Sequence, residues 1–169
     1  MNNRLFIIIS LLFTLIYSAD TEEYVLLISM DGFRYDYLNK ANTPNFDKLL
    51  KNGVTSRALI PVFTSKTFPN HYSIATGMYA ENHGLIANTF YATDLDKPYA
   101  IRDRNAVENG QFYGGEPIWV TAERQGVKTA SYFWVGTEAS INGVQPFYWK
   151  KYDQKVSFQS RIDSVISWF

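Results

Sequence analysis

The chain has 169 residues, of which 46% are hydrophobic and 17% aromatic, a composition typical of a packed globular protein and not of a disordered one. Lysine and arginine together number 16, as do aspartate and glutamate, and no run of Lys and Arg is present, so binding of a nucleic-acid polymer through bulk charge is excluded. Cysteine is absent, which excludes disulfides and thiolate metal sites.

The N-terminus has the pattern of a secretory signal peptide over residues 1–19. Arg4 precedes an apolar run over residues 5–17, and Ser18 and Ala19 are small. The run is shorter than the ~20 apolar residues that a membrane-spanning helix needs. We therefore expect cleavage near Ala19, export to a periplasmic or extracellular location, and no stable membrane span afterwards. A retained signal anchor is the alternative.

The next segments alternate between a strand pattern and a helix pattern. The continuous apolar run over residues 24–29 ends just before Asp31, which predicts a buried parallel strand followed by a turn. Thr43 as N-cap, Pro44 at the first helical position and Gly53 beyond the last turn predict a helix between them.

A second strand and a second helix follow. Residues 54–62 predict a strand whose hydrogen bonding is limited by a proline. After a short loop, the early Pro69 and the late Gly77 predict a helix. Thr67 is therefore expected at or just before a helix N-terminus.

The remaining elements complete an α/β pattern. We predict a loop region over residues 78–115 with a hairpin near Asn109-Gly110, then a helix over 116–126 and a strand over 127–134. Residues 157–169 have apolar residues at helical spacing, and this pattern stops without a capping residue. Alternating strands and helices predict a parallel-rich sheet with helices on both faces, incomplete in this chain.

Two oxygen-bearing side chains lie where the strands of such a sheet end. Asp31 follows the first predicted strand and Thr67 lies in the loop after the second, and ligands gather at the carboxyl ends of parallel strands. A carboxylate can bind a divalent cation, and a threonine hydroxyl can act as a nucleophile. Each residue also has an ordinary interpretation, Asp31 as part of a turn and Thr67 as an N-cap.

Several sequence blocks resemble the nucleotide pyrophosphatase/phosphodiesterase family of the alkaline phosphatase superfamily. They are Ser29–Asp36, Thr64–Tyr72, Thr76–Gly84 and Ile86–Tyr91, followed by Gly115–Trp119, Gln125-Gly126 and Tyr132–Gly136. The resemblance runs from Val25 to the last residue. It identifies residues 20–169 as the N-terminal portion of a phosphodiesterase catalytic domain.

The resemblance implies a hydrolase that cleaves phosphodiester or pyrophosphate bonds of small nucleotide-type substrates at a two-zinc site. Thr67 matches the nucleophile, which also binds zinc, and Asp31 matches a zinc ligand. Asn88 matches the residue that holds a phosphate oxygen, a role suited to an amide donor. Phe68 matches an aromatic residue that contacts the substrate, although aromatic residues more often belong to the core.

The resemblance also limits what this chain is expected to do alone. The positions of His71 and His83, the only two histidines, do not match zinc ligands of the family, and Trp134 and Trp149 match pocket-lining positions. The family's other zinc ligands lie beyond the matched region. We therefore expect the 169-residue chain by itself to be inactive.

Two other functions stay open at this stage. A phosphomonoesterase or sulfatase of the same superfamily would share the metal site and differ in its pocket. A non-catalytic phosphate-binding fragment would keep only the half-site. Thr67, Asn88 and Phe68 together favour the phosphodiesterase.

Overall fold

The computed structural model describes residues 23–169, so the predicted signal peptide over residues 1–19 lies outside the described residues. The chain divides into two compact units, Met1–Phe33 and Arg34–Phe169. In the described part of the first unit a segment without helix or strand leads to a turn, in which the Phe33 N–H donates to Met30 O at 3.2 Å.

The strand predicted over residues 24–29 is wrong. This segment belongs to neither of the sheets in the described chain, and Val25 and Ile28 are 91% and 66% exposed. An apolar run becomes a strand only when a neighbouring strand satisfies its backbone groups. The described residues provide no such neighbour.

Within the described residues, the second unit contains six α-helices and two 3-10 turns. Its helices are α1 Pro44–Asn52, α2 Thr67–Thr76, α3 Ala80–His83, α4 Arg104–Val107, α5 Ile118–Arg124 and α6 Phe158–Ile166, with 3-10 turns at Tyr37–Asn39 and Gly110–Phe112. The predicted helices that correspond to α1, α2, α5 and α6 are confirmed. No helix within residues 23–169 has the length and apolar character needed to cross a membrane.

The strands form two small sheets. Strands β1 Thr89–Ala92 and β2 Lys97–Ala100 pair antiparallel in a hairpin, and β3 Ala130–Tyr132 pairs in parallel with β4 Tyr148–Lys150. Strand β3 confirms the strand predicted over 127–134. The parallel pair, with helix α6 in contact with β3, agrees with an α/β class.

Two further local predictions are wrong. The hairpin lies at β1 and β2, whereas Asn109 caps a 3-10 turn by accepting the Gln111 N–H at 3.0 Å. Residues 54–62 form no strand in the described chain, and Ile60 is 88% exposed. Asn109-Gly110 is compatible with both kinds of turn, so the local sequence does not distinguish them.

The core of the second unit contains a cluster of aromatic rings around Tyr72 of α2, which is completely buried. The Tyr72 ring lies 4.9 Å from the His83 ring, 5.3 Å from Tyr113 and 6.5 Å from Trp119. Tyr99 of β2 is also fully buried and attaches the hairpin to this cluster. Helix α2, which begins at Thr67, is therefore held rigidly by its buried face.

Candidate active site

The centre of the candidate site is the N-terminus of α2. Thr67 is its first residue, half-buried, and Lys66 precedes it as an extended N-cap whose side chain makes no capping hydrogen bond. The first N–H groups of a helix have no partner within the helix, and its dipole adds partial positive charge there. The predicted placement of Thr67 at a helix N-terminus is confirmed.

Asn88 lies against this helix N-terminus. Its Oδ1 accepts the Phe68 N–H at 3.1 Å, and its own carbonyl accepts the Ile101 N–H at 3.0 Å, which fastens it to the base of the hairpin. A backbone N–H can only donate, so the contact with Phe68 assigns the oxygen end of the amide. Within residues 23–169, no hydrogen bond engages Asn88 Nδ2. That group is a two-hydrogen donor on a side chain that contacts the first turn of α2.

Asn70 has no role predicted from the sequence patterns. Its side chain accepts the Val62 N–H at 2.8 Å and donates to Thr64 O at 3.0 Å and to Lys66 O at 2.9 Å. These groups all belong to the loop that leads into Thr67. The signal was present in the Thr64–Tyr72 block, but only the folded loop shows which backbone groups the amide reaches.

The two histidines hold the backbone around the site. His71 Nδ1 lies 2.7 Å from Thr67 O, and because a carbonyl can only accept, Nδ1 carries the proton. His83 is fully buried, and its Nδ1 accepts the Leu85 N–H at 3.2 Å while Nε2 donates to Ser73 Oγ at 2.9 Å. Burial lowers the pKa of His83, which keeps the imidazole neutral.

The aromatic candidates differ in their surroundings. Phe68 is half-buried, with its ring 6.4 Å from Tyr99 of the core. Trp134 donates its Nε1–H to His71 O at 3.1 Å and so braces α2. Trp149 is half-buried on β4. The core therefore covers part of the Phe68 ring and leaves the rest accessible, whereas the position of Trp134 is explained by its contact with α2.

Asp31 belongs to the first unit and is exposed within its turn. Its carboxylate and the Thr67 hydroxyl are oxygen donors of a kind that zinc accepts. Residues 23–169 contain no group of three or more histidine, cysteine, aspartate or glutamate side chains that could hold a metal ion. The described donors thus fit a metal in kind but not in number.

Comparison with known proteins gives the family. The model of the type I phosphodiesterase / nucleotide pyrophosphatase family matches residues 25–169. The chain is 43% identical over 146 residues to ectonucleotide pyrophosphatase/phosphodiesterase family member 3 of Bos taurus and 42% identical over 146 residues to the venom phosphodiesterase of Naja atra. It is 38% identical over 148 residues to family member 5 of Homo sapiens.

Solved structures agree. Murine ectonucleotide pyrophosphatase/phosphodiesterase 5 matches with a TM-score of 0.82 and 38% identity over 87% of this chain and 39% of its own. An inactive threonine-to-alanine variant of that protein in complex with AMP matches with a TM-score of 0.83, 38% identity, and 88% and 40% coverage. These matches confirm the alkaline phosphatase-like α/β fold class.

The matched relatives are longer than this chain. The alignments cover 85% of the chain but 17% of the bovine protein and 18% of the cobra protein, and 88% of the chain but 31% of the human protein. The family is of the metallo-hydrolase type. Since the family model spans most of its length, this chain belongs to the type I phosphodiesterase/nucleotide pyrophosphatase family.

Proposed function

We propose that this chain is the N-terminal portion of the catalytic domain of an exported hydrolase that cleaves phosphodiester or pyrophosphate bonds in small nucleotide-type substrates. Family membership supports the reaction class. The observation that carries the proposal is the contact of Asn88 Oδ1 with the Phe68 N–H at the N-terminus of α2. It holds the Asn88 amide at the helix N-terminus that begins with Thr67, and fixed donors near a nucleophile stabilise the charge that develops in phosphoryl transfer.

The proposed chemistry begins with attack by the Thr67 hydroxyl. A bond forms between Thr67 Oγ and phosphorus, the bond from phosphorus to the leaving oxygen breaks, and that oxygen takes the electron pair. The hydroxyl proton passes to solvent. Water then cleaves the bond between Oγ and phosphorus, which releases the phosphate monoester and restores Thr67.

Asn88 and the start of α2 stabilise the charge that develops. Asn88 Nδ2 donates to a non-bridging phosphate oxygen, and this donor is pre-oriented because Oδ1 is already held by the Phe68 N–H. An amide does not titrate, so it donates at any pH. Phe68 is proposed to contact the leaving group or base with the ring surface that the core leaves uncovered.

The proposal includes two zinc ions, with Asp31 and Thr67 among their ligands by resemblance. When bound, such ions lower the pKa of a coordinated hydroxyl and offset phosphate charge. The other ligands would come from parts of a longer protein, in keeping with the greater length of the relatives. No nucleic-acid polymer is proposed as substrate, because the chain carries equal numbers of basic and acidic residues.

The substrate class and location rest on the relatives. The solved structure of the threonine-to-alanine variant of murine family member 5 contains AMP, which supports a nucleotide substrate for this chain. Relatives carry the prefix "ecto" or the word "venom" in their names, which agrees with export through the predicted signal peptide over residues 1–19.

Steady-state hydrolysis of a nucleoside 5'-monophosphate p-nitrophenyl ester by the full-length parent protein tests the proposal. We expect Thr67→Ala to abolish turnover and Thr67→Ser to keep part of it, because serine preserves the nucleophilic oxygen. Thr93→Ala is the matched control, since Thr93 is exposed at the tip of the hairpin. Turnover by Thr67→Ala within about tenfold of wild type contradicts the nucleophile assignment. If the protein prefers phosphate monoesters or sulfate esters, the result supports a phosphomonoesterase or a sulfatase instead.

A further inference from the structure

The loop before Thr67 has little structure of its own. Residues 61–66 contain no helix or strand, and their one described internal backbone hydrogen bond joins Lys66 N–H to Thr64 O at 2.7 Å. Such a segment samples many conformations unless side chains restrain it. A nucleophile at the end of this loop therefore needs an external restraint.

Asn70 supplies that restraint with both ends of its amide. Oδ1 accepts the Val62 N–H at 2.8 Å, and the two Nδ2 hydrogens serve Lys66 O at 2.9 Å and Thr64 O at 3.0 Å. A third, longer Nδ2 contact reaches Val62 O at 3.4 Å. An N–H donor on one side and carbonyl acceptors on the other allow only one orientation of the amide.

Another asparagine, in helix α1, makes a side-chain hydrogen bond only within its own helix among the described residues. Asn52 of α1 is exposed, and its Nδ2 donates to Lys48 O, four residues earlier, at 3.1 Å. Asn70 makes the same contact with Lys66 O, but it also holds backbone groups up to eight residues away. Local stabilisation of a helix accounts for Asn52 and does not account for Asn70.

The same loop is joined to the segment that carries Asn88. Thr64 Oγ1 donates to Ile86 O at 2.7 Å, and Asn88 follows two residues later against the Phe68 N–H. The loop, the start of α2 and the approach to Asn88 are thus linked through hydrogen bonds. Asn70 is the member of this set that contacts the loop at three separate residues.

We propose that Asn70 is a positioning residue that fixes Thr67 relative to Asn88 for attack on phosphorus. The inference rests on the proposed function, since it takes Thr67 as the nucleophile. Asn70 acts through the backbone of residues 62–66 and not through the substrate. Removing its donors frees the loop, and misplacement of a reacting group by about 1 Å can cost on the order of a hundredfold in rate.

The test is Asn70→Asp in the full-length parent protein, with Asn52→Asp as the control. The new carboxylate matches the amide in size but turns oxygen lone pairs toward Thr64 O and Lys66 O. We expect kcat for the p-nitrophenyl ester to fall about a hundredfold with KM nearly unchanged, and N52D to behave as wild type. The difference in kcat between N70D and wild type should become smaller toward low pH, because a protonated carboxyl group has one hydrogen to donate.

Hydrogen exchange separates the outcomes. Faster exchange confined to amides 62–68 in N70D, together with the selective loss of kcat, supports the inference. A wild-type kcat in N70D overturns it, as does a loss of kcat that merely follows global unfolding in both N70D and Asn70→Ala. If the wild-type parent hydrolyses no phosphodiester, the proposed function itself fails and the inference falls with it.

Discussion

Two neighbouring segments of the second unit are both rich in apolar residues but differ in how far those side chains are buried. From α2 onward, Tyr72, Leu85 and Ile141 are fully buried. Just before α2, over residues 54–63, the large apolar side chains of Val54, Leu59, Ile60 and Phe63 are 82% to 102% exposed. The difference lies in packing partners, because the core surrounds the first three side chains and leaves the other four exposed.

The comparison shows why helices and strands were not equally predictable. A helix satisfies its backbone groups internally, so α1 forms even though none of its residues is buried. A strand needs another strand, so residues 54–62 remain irregular despite their apolar content. Substitutions at buried and at exposed positions test this contrast.

The largest effect is expected for Tyr72→Ala. The substitution empties the centre of the aromatic cluster and removes the hydrogen bond from Tyr72 O–H to Gly114 O at 3.0 Å, so we expect a loss of about 3–5 kcal/mol in the free energy of unfolding. Leu59→Ala, at an 82% exposed side chain, should change it by at most about 0.5 kcal/mol. Denaturant unfolding measures both. Equal losses would show that residues 54–63 are packed in solution.

The next effect compares two glycines with positive φ. A Cβ at Gly136, φ +92°, would lie 3.2 Å from Tyr72 Cε2 and 3.3 Å from Ile141 Cδ1, whereas a Cβ at Gly126, φ +79°, meets no described atom within 4 Å. Both alanine variants incur backbone strain of about 1–2 kcal/mol. Gly136→Ala adds about 1–3 kcal/mol of overpacking. Thermal unfolding should therefore rank Gly126→Ala as the more stable variant, and the reverse order would contradict the tight packing around Tyr72.

The pH dependence of stability should report on His83. Burial lowers its pKa in the folded state, so the unfolded chain binds the extra proton more readily. Stability is then fully present above about 6.5, the ordinary histidine pKa, and is lost as pH falls below it, by at most about 1.4 kcal/mol per pH unit. Denaturant unfolding across this range should show the added slope in wild type and not in His83→Gln. A slope that persists in the variant would assign the effect to other groups.

The smallest effect concerns two helix N-caps. Ser157 accepts the Ser160 N–H at 3.1 Å at the start of α6, so Ser157→Ala should cost about 1 kcal/mol. Thr43 occupies the N-cap position of α1, but its side chain makes no capping hydrogen bond, so Thr43→Ala should be nearly neutral. Thermal unfolding of the two variants measures the difference. A larger loss at Thr43 would mean that its hydroxyl is engaged in solution.

The sequence predicts where Thr67 lies in the candidate site but not how Asn88 contacts the helix that begins there. The pattern around Pro69 and Gly77 was enough to place Thr67 at a helix N-terminus, because such signals act within one helix. Residue blocks were enough to identify the family. The contact between Asn88 and the Phe68 N–H spans 20 residues in sequence, and no local pattern predicts it.

Short-range spacing and residue identity are enough to predict the helices α1, α2, α5 and α6, the family, and the residue types available for chemistry. The folded chain is needed to show which apolar runs become strands, which way the Asn88 amide points, and that Asn70 holds the loop before Thr67. The physical reason is shared by all three: a strand, an amide and a loop each take their conformation from hydrogen-bond partners that lie elsewhere in the chain.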